Sequence, residues 1–217
     1  MSDRLPQVNV TDAGGRRLRC RGAHSTIVLK FGGSVLRSPA DIDAAAAEIV
    51  RWRAVCDRVI AVCSAFEGVT DLLLRNVPAD ATAGARAMLL ATGEFTTAAL
   101  LALRLGPSAW LLSPHQLGLA TSDGGADADP VAINADAFDN CCVAVVPGCI
   151  GGDAEGGYTL LGRGGSDLTA IFIAATLGAR CRLIKDVDGL YDRDPKAAGH
   201  EPARRFATLS YRRALAL

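Results

Sequence analysis

Short runs of β-branched and apolar residues recur along this chain, and each breaks at glycine, serine or proline before a helical stretch begins. Thr26 to Lys30 ends at Gly32-Gly33-Ser34, Val59 to Cys63 runs into a loop through Gly68-Val69-Thr70, and Val143 to Val146 stops at Pro147-Gly148. Tyr158 to Leu161 leads into Gly162-Arg163-Gly164-Gly165-Ser166-Asp167, and Arg182 to Val187 leads into Asp188-Gly189. Strands that are apolar throughout need cover on both faces, and the intervening helices supply it. The pattern predicts an α/β fold: a three-layer αβα sandwich around an open, mainly parallel sheet.

The helices carry their own signals. Ser38-Pro39 followed by Asp41 is a helix start, and Ile42, Ala45, Ala46, Ile49 and Trp52 form an apolar stripe behind it. A long alanine- and leucine-rich stretch runs from Ala83 to Leu105 and stops at Gly106-Pro107. After Asp167 the pattern predicts a helix with Leu168, Ile171, Phe172 and Ala175 on one face and Gly178 as its stop. Residues 1–25 stand apart as a polar extension with Arg16, Arg17, Arg19 and Arg21 close together, read as a poorly ordered tail. Residues 26–217 read as one domain.

Composition narrows the function classes. Equal acidic and basic counts, 23 each, argue against a general nucleic-acid binder. No apolar stretch reads as long enough to span a bilayer, and the N-terminus lacks the apolar core of a signal peptide, so no membrane partner is expected and the cytoplasm is the expected compartment. The seven cysteines lack a C-x-x-C pair and read as reduced thiols. His24, His115 and His200 are too scattered for a nitrogen-ligated metal site. Asp123, Asp127 and Asp129 lie in one loop, but without the terminal glutamate of an EF-hand they read as a surface loop.

Three glycine-bearing turns thus sit at strand ends, where ligands bind in an open parallel sheet. The turn at 162–167 opens a helix, so its backbone N–H groups and the helix dipole suit an anion, and Arg163 adds a forked donor for a carboxylate. A purely structural tight turn is the alternative there. Lys30 ends a buried strand just before two glycines, which suits phosphate; a lysine reaching out at the sheet edge is its alternative. Two phosphate fingerprints fail. The Walker A order is absent because Lys30 precedes its glycines. The dinucleotide fingerprint is spoiled by Asp167 at its third glycine position, although Asp186 lies a little over twenty residues on.

Five blocks taken in order are more specific. Lys30-Phe31-Gly32-Gly33-Ser34, Ser64-Ala65-Phe66-Glu67-Gly68-Val69-Thr70, Thr92-Gly93-Glu94, Gly162 to Asp167, and Asp186-Val187-Asp188-Gly189-Leu190-Tyr191 through Asp194-Pro195-Lys196 resemble the aspartokinases of the amino acid kinase family. The match runs from residue 26 to about residue 212. Glutamate 5-kinases and uridylate kinases share the fold, but the pairing of Lys-Phe-Gly-Gly-Ser with Gly-Arg-Gly-Gly-Ser-Asp resembles the aspartokinase branch.

The resemblance implies transfer of the γ-phosphoryl group of ATP, with Mg2+, to the side-chain carboxylate of L-aspartate. It implies that Lys30 and Asp167 are catalytic, Lys30 neutralising the phosphoryl group and Asp167 organising the cations. Gly32, Gly33 and Ser34 would bind phosphate. Thr70, Glu94, Arg163, Gly165 and Ser166 would hold the substrate, and Lys185, Asp186, Tyr191 and Lys196 the nucleotide. Magnesium would be held mainly by the ATP phosphates, with Asp167 the candidate protein ligand. A homodimer or a partner chain is implied. The alternative is a non-catalytic small-molecule- or nucleotide-binding relative or subunit that needs a partner chain.

Departures from the family pattern are local. Val35 follows Ser34 where a second serine is usual, Cys149 stands at a common phenylalanine position, and Lys185 replaces a common threonine. The kinase domain reads as shortened at its C-terminus, without regulatory ACT domains.

Overall fold

A computed structural model describes residues 25–122, 127–162, 164–196 and 203–214. The chain divides into two units, one ending at Ile184 and one beginning at Lys185. The first is built on a five-stranded sheet of order β3-β6-β2-β1-β9, comprising β1 (Thr26–Phe31), β2 (Arg58–Cys63), β3 (Ala109–Leu111), β6 (Val143–Pro147) and β9 (Arg180–Ile184). Every pairing in it is parallel, as the apolar runs require. A smaller sheet of order β5-β4-β7-β8 contains β4 (Ala120–Thr121), β5 (Pro130–Ala132), β7 (Ile150–Gly152) and β8 (Tyr158–Leu160).

Alternation along the strands sorts the core into two layers. Ile27, Leu29 and Phe31 of β1, with Val59, Ala61 and Cys63 of β2, pack with α1 (Ile42–Arg53) and the C-terminal half of α3 (Ala83–Leu105). Val28, Ile60, Val62, Ala144 and Val146 point the other way, onto Ala170, Ile173 and Ala174 of α4 (Gly165–Thr176). A third cluster joins α3 to the smaller sheet through Leu90, Ile150 and Leu160. The short helix α2 (Val69–Leu74) follows β2. The αβα expectation holds, and so does the α1 stripe: Ile42, Ala45, Ala46, Ile49 and Trp52 are all buried.

Four expectations need correction. Helix α4 buries Ser166, Thr169, Ala170, Ile173 and Ala174, not the face of Ile171, which is half exposed. Both faces are apolar at helical spacing, so periodicity alone cannot choose between them. The last strand of the main sheet runs Arg180–Ile184 and not to Val187, because its pairing with β1 ends at Phe31. Helix α3 is, by length and composition, apolar enough to cross a bilayer, contrary to the sequence reading. Its row Ala87, Leu90, Ala91, Glu94, Ala98 and Leu101 is instead buried against protein. Finally, Cys56 is disulfide-bonded and not a reduced thiol, whereas Cys63, Cys141, Cys142, Cys149 and Cys181 are free. The N-terminal extension lies outside the described residues.

Adjacent positions on α1 test the layer assignment. Ile49 is fully buried beneath the sheet, and Val50 beside it is exposed. Ile49→Ala is expected to lose about 2–5 kcal/mol in urea unfolding, and Val50→Ala about 0.5 kcal/mol or less.

Candidate active site

Parallel register brings the ends of β1, β2 and β6 level, with Phe31 opposite Cys63 and Cys63 opposite Pro147. The turns leaving these strands carry the candidate site. Lys30 is one residue from the end of β1, on the α4 side of the sheet. Its side chain is 7% exposed, and Nζ lies 2.6 Å from Asp167 Oδ1 in the first turn of α4. A buried lysine opposite a carboxylate at a helix N-terminus is a neutralised pair in a favourable dipole field.

The Gly32-Gly33 turn closes tightly, with the N–H groups of Val35 and Leu36 donating to Gly32 O at 3.0 Å. A Cβ on Gly33 would lie no closer than 3.6 Å to Glu67, so the surrounding chain does not demand glycine there. Ser34 is exposed.

The loop before α4 is packed differently. Gly164 adopts a left-handed conformation (φ 79°) and caps α4. A Cβ on Gly165 would fall 2.7 Å from Cys149 Sγ and 2.9 Å from Leu161 Cβ, so this glycine is required by close packing. Gly148 is similarly constrained, since a Cβ there would fall 2.7 Å from Ser166 Cβ. Ser166 is buried. Arg163 lies outside the described residues.

Glu94 comes from the middle of α3 and is 6% exposed. Gly93 beside it lets α2 approach closely: a Cβ there would sit 3.1 Å from Val69 Cγ1 and Ala65 Cβ. Thr70, in the first turn of α2, is exposed. Among the described residues Glu94 Oε2 is buried without a hydrogen-bond partner. Desolvation raises its pKa from 4.5 to about 8, against the opposing pull of the Ala65 backbone N–H and the Lys30 charge. Another buried glutamate shows the contrast. Glu48 of α1 is met by Trp52 Nε1 at 3.0 Å and by Arg51. The thiols of Cys63 and Cys149 feel both Lys30 and Glu94, and burial pushes Cys149 up to about 12. Lys30, Asp167, Glu94 and the two thiols therefore belong to one cluster.

Among the described residues no group of three His, Cys, Asp or Glu side chains forms a metal cage. The donor set fits a cation carried mainly by phosphates, with Asp167 as a single carboxylate contact, the usual manner of Mg2+.

The second unit holds the remaining predicted residues. Lys196 pairs with Asp186, and the Tyr191 hydroxyl bonds Asp188, which raises its pKa. Arg205 Nη1 lies 3.0 Å from Asp188 Oδ2. Lys185 is exposed at the start of this unit.

The sequence profile of the amino acid kinase family matches residues 25–216. The chain belongs to the amino acid kinase family. Among its relatives, an aspartokinase of Thermus thermophilus is 34% identical over 196 residues, covering 85% of this chain and 48% of its own length. An aspartokinase of Corynebacterium efficiens is 36% identical over 203 residues, covering 88% of this chain and 48% of its own. This family member thus spans about half the length of the curated relatives it matches. Aspartate kinase from Synechocystis superposes with a TM-score of 0.67 at 30% identity, over 79% of this chain and 30% of that one. E. coli aspartokinase III, solved in complex with aspartate and ADP, gives a TM-score of 0.71 over 84% of this chain and 53% of its own. At 24% identity it speaks to the fold alone.

Sequence reasoning missed Thr169, which is fully buried inside α4 and bonded to two backbone groups near the glycine loop. A hydroxyl among apolar neighbours within α4 is its only sequence signal.

Burial of Glu94 sets a testable pH dependence. Its folded pKa lies above the ordinary value, so the folded state holds the proton more tightly, and stability falls as pH rises from about 4.5 through about 8. Glu94→Gln cannot ionise. Its melting temperature is expected to match the wild type near about pH 5 and to exceed it near about pH 9.

Proposed function

We propose that this chain carries the catalytic core of an aspartate kinase, transferring the γ-phosphoryl group of ATP to the side-chain carboxylate of L-aspartate. The observation that carries the reading is Glu94 Oε2, a buried carboxylate oxygen without a partner among the described residues, in the field of a buried lysine. A fold does not retain such an atom for stability, since the unmet group costs about 1–3 kcal/mol. An α-ammonium group from the substrate supplies the missing donors.

The rest of the mechanism follows from charge. A substrate carboxylate with an ordinary pKa of about 3.9 is already ionised at neutral pH and needs no general base. One of its oxygens attacks the γ-phosphorus. The bond from that phosphorus to the bridging oxygen breaks, and ADP leaves with the electron pair. The obstacle is bringing two anions together, so the work is positioning and neutralisation. Lys30, held by Asp167, meets the charge on the transferring group. Gly33, whose lack of a side chain nothing in the surrounding packing requires, leaves the turn after β1 open for a phosphate to approach its backbone. Arg163, Gly165 and Ser166 are assigned the substrate's carboxylates, with Thr70 beside them. Asp167 would be the protein residue holding a magnesium ion, which would supply further charge neutralisation on the phosphates. Lys185, Asp186, Tyr191 and Lys196 are assigned to the nucleotide. The cytoplasm is the proposed compartment and a homodimer the proposed assembly.

Incubation with ATP, Mg2+, L-aspartate and hydroxylamine is expected to yield aspartyl hydroxamate. Lys30→Ala is expected to reduce the yield at least about a hundredfold, by loss of a charge that acts in the transition state. ATP binding without hydroxamate from any acidic amino acid would favour a non-catalytic binding protein instead.

A further inference from the structure

Thr169 lies inside α4, 0% exposed, and its hydroxyl is used twice. It donates to Gly165 O one turn earlier at 2.9 Å, the ordinary habit of a helical threonine. It also accepts from the backbone N–H of Cys149 at 3.2 Å, a residue from the turn between β6 and β7. Cys149 is unusual in its own right. Its φ of 61° makes it the one non-glycine residue with positive φ among the described residues. Such a backbone persists only where its surroundings hold it.

The surroundings here are the ends of the glycine loop. The Cys149 carbonyl accepts from Leu161 N–H at 2.9 Å, and its thiol donates to Leu161 O at 3.1 Å. Its Sγ also occupies the space where a Gly165 side chain would begin. Every polar handle of Cys149 is therefore directed at the loop's entry, at its exit, or at the Thr169 hydroxyl that binds Gly165.

The geometry points to Thr169 and Cys149 as positioning residues, a brace that holds Leu161 and Gly165, on either side of the glycine turn, in their ligand-ready places before the amino acid arrives. This rests on the reading of that loop as the amino-acid clamp. Neither side chain is assigned a contact with the reacting atoms. A preformed clamp loses little order on binding, so loss of the brace weakens amino-acid affinity and leaves the phosphoryl-transfer step largely intact.

Three variants test it: Thr169→Val, which removes the hydroxyl; Thr169→Ser, which keeps it; and Cys149→Ala, which removes the thiol. Thr169→Val is expected to raise KM for L-aspartate roughly ten- to hundredfold, with kcat at saturation and KM for ATP changed by less than about threefold. Thr169→Ser is expected to return KM close to wild type. Hydrogen exchange on the same proteins is expected to quicken at the amides of Gly165 and Asp167, which bond Gly162 O and Gly164 O, in Thr169→Val and Cys149→Ala. Unchanged exchange at these amides overturns the brace whatever the activity. Quickened exchange with an unchanged KM overturns its role in binding. If the wild type makes no acyl phosphate from L-aspartate, the reading of the site falls, while the exchange measurement still decides the brace. Should Thr169→Val fail to fold, Cys149→Ala carries the same comparison.

Discussion

Lys30 is a cation carried to the inner face of a sheet, and its salt bridge to Asp167 is what makes that placement tolerable. An isolated ammonium group in such surroundings would be strongly disfavoured. The bridge joins the end of a central strand to the first turn of α4. It depends on the alternation that sends Val28 and Lys30 towards α4 while Leu29 and Phe31 face α1 and α3. The parallel register then sets the ends of β2 and β6 beside it. The Gly32-Gly33 turn, the glycine loop and the turn at Gly148 follow from that one alignment.

Around this pair the protein keeps features that stability alone would not select. Glu48 and Glu94 are equally buried, yet Glu48 is bonded to Trp52 and Arg51 while one oxygen of Glu94 has no partner among the described residues. Cys149 holds a backbone angle that a side chain disfavours. Such departures concentrate where binding needs an unpartnered polar group or a fixed loop, and they accompany a general trade between stability and activity. In this chain they fall at one end of one sheet.

The layered architecture was legible in the sequence because fully buried strands and amphipathic helices leave strong periodic signals. The stripe from Ile42 to Trp52 was read correctly because only one face of α1 is apolar. Helix α4 was misread for the opposite reason: its two faces are both apolar, and its orientation follows from tertiary bonds made by Asp167 and Thr169. The candidate site residues were picked out by ordered blocks, and the structure brings three of them, Lys30, Glu94 and Asp167, into one cluster. The brace could not be read, since the Cys149 to Thr169 bond spans separate elements. The disulfide state of Cys56 was equally invisible, because spacing carries no record of which thiols meet in space.

In the proposed function Glu94 is protonated in the free protein and receives the substrate's ammonium group. With a pKa of about 8 the carboxyl is largely neutral at pH 7, and it must ionise to pair with a cation. Titration calorimetry of L-aspartate binding in buffers of differing ionisation enthalpy measures that proton directly. The account predicts release of about one proton per bound aspartate near pH 7, falling towards zero by about pH 9 and absent in Glu94→Gln. Binding without proton release, equally tight across that range, would contradict it.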